Sequence, residues 1–149
     1  MKTKKFFSAI AIAIASTALL FSSCSKGDDS ESISTTPLTI VKTDPVNGFS
    51  TCWFNQTYTI EFSEKIVFDN TNPGKYIEYV EALPTKDFKW TATYDGNKTI
   101  TIKTTNVSLV SGNEFYWQLK AKEIKTPDGR PLQPTAGFDD YWLHYFNKK

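Results

Sequence analysis

Few residues in this chain could do chemistry: His144 is the single histidine, and Cys24 and Cys52 are the two cysteines. A Ser-His-Asp triad or a histidine-based metal centre would rest entirely on His144. That residue lies in an aromatic run and reads as an edge-strand side chain satisfied by solvent or a neighbour. Cys52 and His144 could form a thiolate pair, but Cys52 precedes Trp53 and Phe54 and reads as a small buried hydrophobe. Asp95, Asp128 and Asp139-Asp140 lack the clustered spacing of a calcium loop and read as turn residues. No Gly-rich phosphate loop is present. Paired carboxylates for glycoside hydrolysis are compatible with the spacing, yet a chain this short leaves little room for a substrate cleft. The expectation is no catalytic residue, no metal and no cofactor, hence no enzyme.

The positive signal is aromatic, with four Trp, seven Tyr and eleven Phe in 149 residues. In a two-layer sheet protein only one face of each strand turns inward. If Phe115, Trp117 and Leu119 face the core, Tyr116 faces out; if Trp142 and His144 point one way, Tyr141, Leu143 and Tyr145 point the other. Exposed aromatics gathered on one sheet could stack on sugar rings or dock a partner. The plainer alternative is that they fill the core. Trp53, Trp90, Tyr116 and Trp142 are the candidate ligand-binding residues.

Strands must position them. In 57–62, Tyr58, Ile60 and Phe62 share one face while Thr57, Thr59 and Glu61 share the other, and the pattern runs on into 63–66. Phe88, Trp90, Ala92 and Tyr94 alternate with polar residues, and Asp95-Gly96-Asn97 is a hairpin signal leading into the alternating 99–103, so these two strands should pair antiparallel. Segment 115–119 follows after Leu109 and Gly112, and 141–146 reads as a closing strand. Leu38-Thr39-Ile40-Val41 is the first β-rich run, followed by a turn at Asp44-Pro45-Val46-Asn47-Gly48. Segment 69–74 is a loop by composition, 76–82 is expected to be a strand, and 133–137 is a loop. The sum is an all-β sandwich of about seven antiparallel strands.

Residues 1–24 have the parts of a bacterial export signal: Lys2, Lys4 and Lys5, an apolar run from Phe6 to Phe21, then Ser22, Ser23 and Cys24. The run is short for a membrane span. Leu20-Phe21-Ser22-Ser23-Cys24 resembles a lipobox, although Phe21 replaces the aliphatic residue usual three places before the cysteine. The resemblance implies cleavage of 1–23, acylation of Cys24 and a protein tethered to the membrane rather than spanning it. Two or three acyl chains anchor durably where one does not, since each buried methylene contributes about 0.8 kcal/mol. Ser25-Lys26-Gly27-Asp28-Asp29 resembles the acidic export tag of Bacteroidetes-type surface lipoproteins, which implies the outer face of the outer membrane. Residues 24–36 then form a Ser/Thr/Asp-rich flexible linker too polar to offset its ordering entropy. One domain follows over 37–149. With Cys24 acylated, Cys52 is unpaired and no disulfide framework is expected. Removing Lys2, Lys4 and Lys5 from 17 basic residues against 16 acidic ones turns the formal charge from +1 to −2, which argues against a nucleic-acid partner.

Asp44-Pro45-x-x-Gly48, Tyr58-Thr59-Ile60-Glu61-Phe62-Ser63-Glu64, Leu109-x-x-Gly112 and Ile124-x-x-x-x-Gly129-x-x-Leu132 occur in the order seen in the bacterial SbsA-type Ig-like domain, which this chain resembles over roughly 38–146. The resemblance implies a seven-strand Ig-like β-sandwich, used in surface proteins as a spacer or binding module. Phe115 stands where that family usually has the Tyr of a tyrosine corner, so the hydroxyl-to-backbone bond expected there cannot form. Thr126 and Arg130 stand where Asp and Asn are usual, leaving any brace or calcium-assisted role of the last turn without its usual side chains. Two functions are therefore expected in order: a lipid-anchored, non-enzymatic interaction or spacer module at the cell surface, or a surface lipoprotein that binds carbohydrate through exposed aromatics. The expected partners are the membrane, through the lipid, and a protein or glycan.

Overall fold

Alternation of side chains dictates the layers in the computed structural model, which describes residues 35–48, 56–81, 88–105 and 114–146. Seven strands form: β1 (Ile40–Asp44), β2 (Thr57–Phe62), β3 (Ile77–Glu81), β4 (Lys89–Tyr94), β5 (Thr99–Thr105), β6 (Glu114–Leu119) and β7 (Tyr141–Phe146), with a single 3-10 turn at Pro73–Lys75. They make a four-stranded sheet in the order β1-β2-β5-β4 and a three-stranded sheet in the order β3-β6-β7. Every neighbouring pair is antiparallel. This is the all-β, Ig-like sandwich that the residue pattern and the resemblance imply. The signal segment, Cys24, the linker to residue 34, Cys52, Trp53 and the Leu109–Gly112 corner lie outside the described residues.

The core is the inner face of both sheets. Tyr58, Ile60 and Phe62 of β2 lie beside Ile102 and Ile100 of β5 and meet Phe115, Trp117 and Leu119 of β6 and Leu143 and Tyr145 of β7, all essentially without solvent contact. Rings join the layers: Tyr58 meets Tyr145 at 5.0 Å and Trp117 at 5.7 Å, both edge-on, as aromatic quadrupoles favour. The hairpin closes as its residues require, with Gly96 at φ 84° and Asp95 Oδ1 accepting the N–H groups of Asn97 and Thr99.

Several local details differ from the sequence reading. β2 stops at Phe62 rather than running to Ile66, β1 extends to Asp44, and β5 to Thr105. Phe115 cannot make the tyrosine-corner bond, but its cross-strand neighbour Tyr145 donates a buried hydrogen bond to the Pro45 carbonyl at 3.1 Å. The two rings stack at 5.7 Å. The last turn is braced after all, by different chemistry. Arg130 N–H donates to Thr126 Oγ1, and Thr126 N–H to the Arg130 carbonyl, each at 3.0 Å. The Arg130 guanidinium forks onto both oxygens of Glu64, at 3.0 and 2.6 Å, and donates to Asp128.

Candidate functional site

The outer face of the three-stranded sheet carries the side chains that β6 and β7 turn away from the core: Glu114, Tyr116 and Gln118 on one strand, Trp142, His144 and Phe146 on the other. Tyr116 lies opposite His144. The His144 N–H points away from β6, to Asn47 Oδ1 at 2.8 Å, so the two residues form a non-hydrogen-bonded pair, the type in which cross-strand side chains come closest. Their rings stack at 4.6 Å with planes 12° apart. Trp142 stands edge-on to Tyr116 at 5.8 Å, Phe138 tilts against Trp142 at 6.2 Å, and Phe146 leans on His144 at 4.3 Å. Five rings thus form one row, at the end of which Phe138 is 60% exposed.

Polar groups along the row hold each other. Glu114 Oε2 accepts the Tyr116 hydroxyl at 3.0 Å and lies 3.7 Å from His144 Nε2. Desolvation, with help from the Glu114 carboxylate, pushes the Tyr116 phenol above its ordinary value. Gln118 Nε2 donates to Asp140 Oδ2 at 2.7 Å, and the other Asp140 oxygen accepts the Ala121 N–H at 2.9 Å. These are oriented acceptors beside apolar rings, an arrangement that can bind.

Of the four residues singled out from the sequence, Tyr116 and Trp142 come together here. Trp90 does not. It lies on the inner side of β4, edge-on to Trp117 at 5.4 Å, and borders a groove of about 630 Å³ between the β3 and β4 edges, beside the tightly stacked Tyr79 and Phe88. Trp53 falls outside the described residues, as does Cys24. His144 and Phe146 join the row through the alternation already visible in 141–146, whereas Phe138 comes from a loop with no periodicity to announce it. Among the described residues no group of three or more His, Cys, Asp or Glu side chains is placed to hold a metal ion.

Comparison with known proteins bears on the fold. No curated protein matches the chain. Three solved structures of surface-layer proteins are similar: rSbsC(31-844), at 9% identity over 76% of this chain with a TM-score of 0.47; SbsC domains 1-6, at 10% over 77% with 0.48; and the N-terminal part of SbsC, at 10% over 76% with 0.42. This chain covers only 14% of each of the first two and 24% of the third. Residues 34–141 match the family described as Bacterial Ig-like domain. With most of its length matched and its seven antiparallel strands in two sheets, this chain belongs to the bacterial Ig-like domain family.

Proposed function

We propose that the protein is a lipid-anchored lipoprotein of the outer membrane, of Bacteroidetes type, that presents one SbsA-type Ig-like domain at the cell surface as a non-enzymatic interaction or spacer module. The observation that carries this reading is the join between its halves. A lipobox-like Leu20-Phe21-Ser22-Ser23-Cys24 and a polar linker lead to a sandwich in which Leu38 is fully buried and bridged to Leu132. A tether followed by a body with its own filled core suits display. The non-enzymatic part is supported by where the polar chemistry of the described residues sits: the Arg130–Glu64 pair braces a turn, the Asp140 carboxylate lies at an open sheet face, and apart from Thr104 and Thr126 the buried side chains are hydrocarbon and ring.

Growing cells that express the chain with a labelled fatty acid tests the anchor. Label is expected in the wild type and absent from Cys24→Ala, and an unlabelled wild type would refute the lipoprotein reading. Protease treatment of intact cells tests the leaflet: digestion before lysis is expected, and complete protection until lysis would place the domain on the periplasmic side.

A further inference from the structure

We propose that the ring row on the β6–β7 face is a docking surface for a neutral polysaccharide, which stacks the apolar faces of its sugar rings on Trp142 and Phe138 and sets its hydroxyls against Asp140, Gln118 and Glu114. This deepens the interaction reading above by naming the partner class. The face offers ring and polar group together. On the outward positions of β3, β6 and β7 the only aliphatic side chain is Val80, so an occupant meets aromatic faces flanked by carboxylate and amide groups, which suits the alternating C–H and hydroxyl surfaces of a sugar. No ring is stacked in parallel on the Trp142 indole among the described residues; its contacts are edge-on at 83° and tilted at 56°. Tyr116 and His144, by contrast, spend a face on each other.

Charge narrows the class further. Glu114 lies in the row, Asp140 accepts from Gln118 beside it and Glu78 stands opposite Gln118, against Lys120, which pairs with Glu78 at 3.5 Å. Uronic-acid or sulfated polymers would be repelled, while carboxylates already oriented by Gln118 and Tyr116 suit the paired hydroxyls of an uncharged sugar. Strand addition beside the row is closed off as well, because both backbone groups of His144 and the N–H of Trp142 are taken by Asn47, Gly48 and Thr135. The occupant must therefore lie on the side chains.

Native affinity electrophoresis of the full chain in detergent, through gels containing a neutral glucan, mannan, xylan or galactan and through one containing alginate, tests the proposal. Retardation is expected in at least one neutral gel and not in alginate, weakened about tenfold or more in Phe138→Ala and in Trp142→Ala, a change of about 1.4 kcal/mol per tenfold. Phe138 is mostly exposed, so its loss leaves the core intact; Val46→Ala, at another exposed site, should bind like the wild type. Absence of retardation in every neutral gel, retardation in alginate alone, or equal retardation of all variants would overturn it. So would self-association that disappears in Trp142→Ala, which would give the face to a second copy. A labelled Cys24 with no retardation would leave an anchored module without this surface, and retardation with an unlabelled Cys24 would leave the surface without the anchor.

Discussion

At the scale of single residues, one buried phenol ties the closing strand to the first turn. Tyr145, opposite Phe115, donates its hydroxyl to the Pro45 carbonyl, a hundred residues earlier in the chain. Tyr145→Phe removes the donor and leaves ring packing with Phe115 and Tyr58 in place. Net hydrogen bonds contribute about 1 kcal/mol, and a buried acceptor left unsatisfied costs more than the mean. The variant should therefore unfold about 1–2 kcal/mol more readily in urea, with an unchanged slope. A loss below a few tenths of a kcal/mol would mean that water replaces the phenol at Pro45. Trp117→Ala should cost about 3–5 kcal/mol by the same measurement, because that indole is fully buried and touches rings from both sheets.

At the scale of elements, two edge strands end their pairing on an asparagine. Asn70 Oδ1 accepts the Tyr94 N–H at 2.7 Å and its Nδ2 donates to the Tyr94 carbonyl, so the amide side chain stands in for a neighbouring strand at the β4 edge. Asn47, with the Gly48 N–H, does the same for His144 at the β7 edge. Open edges template association with other chains. Asn70→Ala should therefore raise the apparent mass of the protein with concentration in light scattering, where the wild type stays constant; a flat series for the variant would show that Asn70 only positions its own loop. None of these closures is legible in the sequence, since Asn70 meets Tyr94 and Asn47 meets His144 only once the sheets are built. What is legible is alternation: 57–62, 88–94, 99–103, 115–119 and 141–146 each sort their side chains onto the observed faces, because period two and burial of one face leave no other register. The face that gathers Tyr116 and Trp142 follows from that same sorting. The inward turn of Trp90 was also written in its alternation with Ala92 and Tyr94, but its place on a groove beside Tyr79 and Phe88 depends on which edges the two sheets set side by side.

For the whole molecule, one side chain ties the point where the linker enters the domain to two other segments. Arg130 donates to the Thr36 carbonyl, forks onto Glu64 after β2 and reaches Asp128 in the last turn, tying three distant segments. The Arg130 hydrogen bonds hold the Glu64 and Asp128 carboxyls below their ordinary values of 4.5 and 3.8, and those two carboxylates in turn push the guanidinium above its own. With folded-state values depressed, the unfolded chain takes up protons first as pH falls. The contribution to stability is then complete above the ordinary carboxylate range and is lost as pH drops through the depressed values. Thermal melts from pH 6 to pH 3 should show the wild type falling more steeply below about pH 4.5 than Arg130→Ala, the two curves converging in acid. Parallel curves would mean that the clamp adds nothing through charge. Limited proteolysis at neutral pH would separate the mechanical role. In Arg130→Ala, cleavage should advance from the polar linker past Thr36 and stop before β1, where burial of Leu38, its bridge to Leu132 and the hydrogen bonds between Thr39 and Ser63 still hold the chain. Unchanged cleavage sites would show that those contacts alone suffice to seat the end of the chain that the proposed tether would pull.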